Sequence, residues 1–223
     1  MLLHCQIYYT QIDQPFSEER VRAILRYFPA HLKKRVLQYK DEWAKSLSVA
    51  GKLLLLYGLK QIGYKNIFNQ LLYTSNGRPF LQNTTLDFNI SHSHRLVVCA
   101  IVKNYKVGVD IQKIVPIKQK FERFFLHPKE MNLMDNREKV AIWVKKEAIS
   151  KVEGDGLGIS FTEIYCPENT YVHGGKRYFI HPIHIHSAYI GYIVFNSSPV
   201  KTYLKQVPEK VLIQSMNSSL VYS

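Results

Sequence analysis

The stretch from Leu86 to Gln112 constrains this chain more than any other. Three runs of strand character, "LDFNIS", "LVVCAIV" and "KVGVDIQ", are separated only by "HSHR" and "KNY". Connections that short leave no room for the crossover that parallel neighbours need, so the spacing predicts an antiparallel meander. "LVVCAIV" is apolar on both faces and is expected to be the central, covered strand. The chain reverses at each turn. The first run therefore ends, at Ser91 and His92, on the same rim as the third, at Asp110 to Gln112. An aspartate inside such a strand is disfavoured by propensity. If Asp110 is buried it requires a partner, because an unpaired carboxylate in a low-dielectric site is very costly.

Other elements are readable around this core. "LLHCQIYYT" reads as a first strand, and "SEERVRAILRYF" has helical spacing with Ser17 as N-cap. Pro29 restarts the chain into "AHLKKRVLQYK". A long helical pattern covers about Asp41 to Leu59, and "SNGRP" is a turn. Beyond Pro116, "IKQKFERFF", "HPKEMNLM" and "NREKVAIWVKKEAISKVEG" read as helices, the last stopped by the glycines of "GDGLGI". "FTEIYC", "TYVHG", "KRYFIHPIHIH" and "AYIGYIVF" are β-rich, and the tail from residue 198 carries weak signals. Each half pairs a long helix with a set of strands, which suits two similar subdomains joined near 103 to 106.

The chain has 223 residues, enough for one large domain or two small ones, and is 46% hydrophobic. Its formal charge of +13 points to an anionic partner without choosing among nucleic acid, membrane surface, phosphorylated small molecule and acidic protein. Cys5, Cys99 and Cys166 are widely spaced and odd in number, which fits a reducing cytoplasm better than a disulfide framework. No apolar run approaches the roughly 20 residues of a membrane span.

On the helix from 136 to 152, Trp143, Glu147 and Lys151 share one face, flanked by Lys145 and Lys146. The plain reading is a surface ion pair of Glu147 with Lys151. Asp110 opens another. Two carboxylates, one from a strand end and one from a helix, can hold Mg²⁺ while substrate phosphates and water complete its shell, with lysines serving the phosphates.

The ordered set "FNISHS", "VGVDIQ", "RFFLHPKE" and "WVKKEAISKVEGDGL", with "GRP" ahead of it and "FPAHLKKRVLQY" near the start, resembles the surfactin-type 4′-phosphopantetheinyl transferases from about residue 3 to 165. That resemblance implies an α+β fold of two similar subdomains forming a pseudo-dimer, 1–103 and 104–223, the second with the metal site and a variable tail. It implies transfer of the phosphopantetheine arm of coenzyme A to a serine of an apo acyl or peptidyl carrier protein, releasing adenosine 3′,5′-bisphosphate. Asp110 and Glu147 would bind Mg²⁺, or Mn²⁺, against the pyrophosphate. Gln112 stands where the family usually has a second acid; it offers a carbonyl oxygen, or water replaces it in the shell. Glu130 matches a carboxylate that helps to deprotonate the serine. Lys151 and Lys146 match pyrophosphate-contacting lysines, Lys151 also stabilising the leaving group. Ser91 and His92 match coenzyme A contacts. Arg78 and Lys34 match residues gripping the 3′-phosphate, and His31 replaces a usual lysine there.

The resemblance further implies a cytoplasmic monomer with no nucleic-acid or membrane partner. Lys113, Lys118 and Lys120 alternate with Ile114, Ile117 and Phe121 and are expected either to dock an acidic carrier-protein helix or to form an ordinary amphipathic segment. Two rivals stay open: a degenerate member that binds coenzyme A without transfer, raised by Gln112 and His31, and a basic nucleic-acid-binding protein, raised by the net charge. His184 and His186 would share a strand face, but no Cys, Asp or Glu lies near them in sequence to complete a metal site.

Overall fold

The computed structural model describes residues 3–64, 67–131, 135–154, 160–197 and 200–217. Among the described residues, ten strands and six α-helices follow one another in an α+β arrangement. The first half contains β1 (Leu3–Gln11), α1 (Glu18–Leu25), α2 (Ala30–Leu37), α3 (Glu42–Gln61), β2 (Leu71–Tyr73), β3 (Pro79–Leu81), β4 (Leu86–Ser93) and β5 (Leu96–Lys103). The second contains β6 (Val107–Lys113), α4 (Gln119–Glu122), α5 (Asn136–Glu153), β7 (Thr170–His173), β8 (Lys176–Ile183), β9 (Tyr189–Phe195), β10 (Val200–Gln206) and α6 (Glu209–Asn217).

The two long helices start where their caps dictate. Asp41 Oδ1 accepts the Ala44 N–H at 2.7 Å to open α3. Asp135 and Glu138 exchange backbone bonds at 2.8 and 2.9 Å to open α5. Ser17 caps α1 as its sequence indicates. Gly154 ends α5 at φ +85°, a left-handed conformation that suits glycine; the rest of "GDGLGI", 155–159, lies outside the described residues.

Two four-stranded sheets form, in the orders β10-β1-β5-β4 and β6-β9-β8-β7. α3 covers one face of the first sheet: Val97, Cys99 and Ile101 of β5 join its core. The alternate residues Leu96, Val98, Ala100 and Val102 pack instead against Val107, Val109 and Ile111 of β6. β5 is thus apolar on both faces because one meets a helix and the other a second sheet. α5 packs on the far side, where Ala148, Ile149 and Val152 meet Tyr178, Ile180 and Val194. The layers run helix, sheet, sheet, helix. Each fully buried aliphatic side chain in them stabilises the fold by roughly 1.5–3 kcal/mol.

The meander expected from 86 to 112 holds for β4 and β5 and fails for the third strand. β6 pairs with β9, not with β5. It nonetheless runs beside β4, and polar side chains substitute for a ladder. The N–H groups of Val107, Val109 and Lys113 donate to Asp87 Oδ2 at 2.8 Å, Asn89 Oδ1 at 3.0 Å and Ser93 Oγ at 3.0 Å. Asp87, Asn89, Ser91 and Ser93 alternate along β4 opposite the face that packs on α3. Two edge strands of different sheets are stitched in this way, and Ser91 still comes beside Asp110.

Three further expectations change. "IKQKFERFF" is helical only over α4, none of whose residues is buried and whose N-cap, Lys118, makes no capping bond. Without an inward apolar stripe, a longer helix gains nothing from packing. In "HPKEMNLM" one 3₁₀ turn, Pro128–Glu130, forms, and 132–134 lie outside the described residues. "FTEIYC" opens with a 3₁₀ turn capped by Ser160. The tail, nearly silent in sequence, returns to the first half: β10 runs parallel to β1 and α6 packs on α3.

Candidate active site

Asp110 sits at the seam of the two sheets, 1% exposed. Val107, Val109 and Ile111 face the first sheet, which turns Gly108 and Asp110 toward α5. Gly108 permits that approach: a Cβ there would lie 2.1 Å from the Ala148 carbonyl oxygen. Lys151 Nζ donates to Asp110 Oδ1 at 2.6 Å and to Ser91 Oγ at 3.2 Å, and Ser91 Oγ donates to the same Oδ1 at 2.6 Å. Asp110 therefore finds a counter-charge in the Lys151 ammonium.

Glu147, one turn before Lys151, feels both groups. Burial raises its carboxyl pKa first, the Lys151 ammonium opposes this, and the Asp110 carboxylate adds to the rise. Two neighbouring carboxylates beside a half-buried ammonium would suit a divalent cation carrying phosphate. Among the described residues, no group of three or more His, Cys, Asp or Glu side chains could hold a metal ion. The Gln112 side chain is engaged at both ends. Its Oε1 accepts from Ser93 Oγ at 3.1 Å and its Nε2 donates to Asp110 Oδ2 at 3.3 Å. His92, at the exposed rim, has its pKa lowered by partial desolvation and then by Lys151, against an opposing pull from Asp110.

Other expected site residues hold structural posts. Lys146 is 0% exposed, and its three N–H donors are spent on Phe125 O at 2.7 Å, Glu130 Oε2 at 2.6 Å and Phe161 O at 3.0 Å. Glu130 Oε2 also accepts the His127 N–H at 2.8 Å. These two expected catalytic and pyrophosphate residues bond to each other and to backbone, not to the Asp110 cluster. They tie the 125–130 segment to α5. Arg78 is likewise turned inward: it pairs with Asp87 at 2.7 Å, donates to Val107 O at 3.2 Å and bonds Lys151 O. A guanidinium so engaged holds β3, β4, β6 and α5 together and has little left for a phosphate. His31 Nε2 lies 2.7 Å from Leu71 O, and Lys34 is exposed. His186 Nδ1 accepts from Ala188 N at 3.0 Å.

Beside Gln112 and Lys113 opens an apolar groove of about 450 Å³, walled by Val115, Ile117, Phe121, Phe124, Phe125 and Trp143.

A strand acid, a helix acid and a lysine thus converge beside a Ser-His rim. Residues 106–195, which carry β6, α5 and β9, match the family model of the 4′-phosphopantetheinyl transferase superfamily. The second half of the chain is thus similar to that superfamily. It is similar to 4′-phosphopantetheinyl transferase gsp of Aneurinibacillus migulanus, with 31% identity over 163 residues, 69% of this chain and 62% of the relative. It is similar to 4′-phosphopantetheinyl transferase HetI of Nostoc sp., with 28% identity over 155 residues, 63% and 60% of the two chains. It is also similar to 4′-phosphopantetheinyl transferase Sfp of Bacillus subtilis, with 25% identity over 164 residues, 69% and 72% of the two. The chain spans less than two thirds of the length of the first two of these relatives. Among the described residues no helix is long and apolar enough to cross a membrane.

Two residues near the site were not singled out by sequence reasoning. Lys52 lies in the middle of the apolar α3 run "VAGKLLLLYG", and that interruption was its signal. Arg35 follows Lys34 in "LKKR" and had no signal separating it from a solvated run.

Proposed function

We propose that this protein transfers the 4′-phosphopantetheine arm of coenzyme A to a serine of an apo acyl or peptidyl carrier protein, with release of adenosine 3′,5′-bisphosphate. The observation that carries the reading is the convergence of Asp110, Glu147 and Lys151 beside Ser91 and His92. Phosphoryl transfer of this kind is mostly positioning and charge neutralisation. Asp110 and Glu147 would hold Mg²⁺, or Mn²⁺, which supplies Lewis-acid charge neutralisation when bound. Lys151 remains partly open to solvent and can offer its ammonium to a pyrophosphate oxygen. Ser91 bonds Asp110 at the rim, and His92 beside it is exposed where phosphate can approach. The halves 1–103 and 104–223 are taken as subdomains related as a pseudo-dimer, bridged by the return of β10.

The carrier protein docks, on this reading, at the groove beside Gln112. Lys118 and Lys120 flank exposed Phe121 and Phe124 there, an apolar floor with a cationic margin suited to an acidic amphipathic helix. Reversing the charge of Lys118 and Lys120 raises KM for the carrier and leaves that for coenzyme A unchanged; an unchanged carrier KM removes the docking site. Cys5, Cys99 and Cys166 are free and buried, in keeping with a reducing, cytoplasmic setting.

The Gln112 amide, which hands Asp110 a donor in place of a third carboxylate, favours one second reading, a member that binds coenzyme A without transfer. Incubation with coenzyme A, Mg²⁺ and a panel of apo carrier proteins separates the two. A mass gain of one phosphopantetheine on a carrier serine supports the transferase. Binding of coenzyme A with every carrier unmodified supports the degenerate reading.

A further inference from the structure

β10 closes one end of the sheet order β10-β1-β5-β4, and among the described residues no strand pairs with its outer edge. The other edges are poorer platforms. β4 is covered by β6 through the side chains of Asp87, Asn89 and Ser93, and β7 has only four residues. β10 has seven, with no proline, in unbroken register with β1 from Val200 to Gln206. Every residue from Lys201 to Gln206 is exposed. Edges this long and regular are normally blunted, because their free N–H and C=O groups accept another strand.

The pairing with β1 fixes what the edge offers. Val207 N donates to Tyr9 O at 2.8 Å. Main-chain groups point to alternate sides along a strand. Those of Lys201, Tyr203 and Lys205 are therefore spent on β1, and those of Thr202, Leu204 and Gln206 point outward. Side chains alternate between the two faces as well. Lys201, Tyr203 and Lys205 share the face of Tyr8, which packs in the α3 core. The Lys201 ammonium lies over the Tyr203 ring at 5.4 Å, and Lys205 Nζ donates to Tyr57 OH at 2.9 Å. Thr202 and Leu204 share the opposite face with Cys5 and Ile7, and Leu204 is 41% exposed there. An added strand would meet two ammonium groups on one face and an aliphatic side chain on the other.

We infer that β10 is a docking edge for an extended, acidic segment of a partner protein. The segment adds a strand to the first sheet, with acids at alternate positions beside Lys201 and Lys205 and apolar side chains against Leu204. Opposite charges on neighbouring strands attract and like charges repel. The two lysines thus admit an acidic strand and oppose a second copy paired antiparallel about Tyr203, which would set Lys201 against Lys205 twice. A charge of +13 on each chain opposes self-association further. β1 and β5 separate β10 from β4, so the edge lies across the sheet from Ser91 and stands independently of the transferase reading.

The full chain, isotope-labelled for NMR, is titrated with a peptide of alternating Glu and Val matched in length to β10, and with one of the same composition whose acids and valines form separate blocks. The alternating peptide is expected to shift the amide signals of Thr202, Leu204 and Gln206 and to slow their exchange with solvent; the block peptide is not. Thr202→Pro removes an outward N–H and spares the β1 ladder, so it should abolish binding with Tm retained. Lys201→Glu/Lys205→Glu should weaken the alternating peptide roughly tenfold or more and create binding of a peptide of alternating Lys and Val. That gain cannot come from a damaged fold. An unperturbed β10 with peptide in excess overturns the inference, as does binding that ignores the alternation or survives Thr202→Pro. A wild-type protein that sediments as a dimer, and as a monomer once Thr202→Pro is introduced, overturns it too by assigning the edge to a second copy.

Discussion

Replacing Gly108 with alanine drives a methyl carbon into α5. The new Cβ would lie 2.1 Å from Ala148 O, 2.6 Å from Val152 N and 3.1 Å from Lys151 C. Ordinary contact begins near 3.4 Å, so β6 and α5 must part by about 1.3 Å, the difference between 3.4 and 2.1 Å. The obstructing atoms are main chain, and no rotamer change relieves them. Overpacking of this kind costs ~1–3 kcal/mol, and the rigid neighbours put Gly108→Ala near the upper end. The displacement falls on the 2.6 Å contact of Lys151 with Asp110. A misplacement of ~1 Å at a reacting centre costs about 100-fold in rate. Urea unfolding measures the first effect, and the rate of carrier modification at saturating coenzyme A measures the second. Gly191→Ala is the comparison, because there the closest atoms are Cγ1 and Cδ1 of the Ile183 side chain, at 2.6 and 3.0 Å, which can move. A Gly108→Ala protein within ~0.5 kcal/mol of wild type and equally active would refute the claim that close strand–helix approach sets the site.

Other substitutions separate structural posts from chemical ones. Lys146→Met strands the Glu130 carboxylate in the interior and should cost ~3–5 kcal/mol in urea unfolding, with Lys146→Met/Glu130→Gln recovering much of it; a stable single variant that has lost only activity would show that Lys146 acts on substrate. Arg78→Met should destabilise by ~1–3 kcal/mol, since Asp87 keeps the Val107 N–H at 2.8 Å and the exposed Lys106 ammonium at 3.4 Å, and a loss confined to coenzyme A affinity would return Arg78 to the phosphate. Stability should also depend on pH through Lys52, which faces Arg35 from α2, His92 from β4 and Ser48 on its own helix. Its folded pKa, about 8, lies below its ordinary 10.5. The unfolded chain binds the proton more tightly, so this group costs ~3 kcal/mol below pH 8, and the cost fades as pH rises toward 10.5. Lys52→Met should therefore be the more stable protein at pH 7, with the gap closing by pH 10; a gap that widens with pH would contradict a buried ammonium.

Much of the frame was legible because it rests on local chemistry. The spans of α3 and α5 follow from long periodic patterns with an aspartate at each start. The meeting of Ser91 with Asp110 follows from chain reversals counted along β4, β5 and β6. The exchange of β6 into the second sheet was not legible, since an alternating apolar strand does not encode which backbone it will pair with. One trace of it was present. Asp87, Asn89, Ser91 and Ser93 recur at every second position of a buried strand, and such a polar face needs donors nearby, which β6 provides. Lys146, Glu130 and Arg78 show the opposite limit. A motif marks which residues gather, but whether a lysine faces a phosphate or the carbonyls of Phe125 and Phe161 depends on how distant segments pack. Lys151 and Lys146 sit five residues apart on one helix and receive opposite tasks for that reason.

The chemistry assigned here requires the Asp110 and Glu147 carboxylates together. The rate at which coenzyme A and Mg²⁺ convert an apo carrier protein to its phosphopantetheinylated form, followed by mass spectrometry for wild type and for Asp110→Ala/Glu147→Ala, tests that most directly. The expected result is a loss of about 1000-fold or more in transfer rate with the fold retained by circular dichroism. Transfer at the wild-type rate by the double variant would contradict the account.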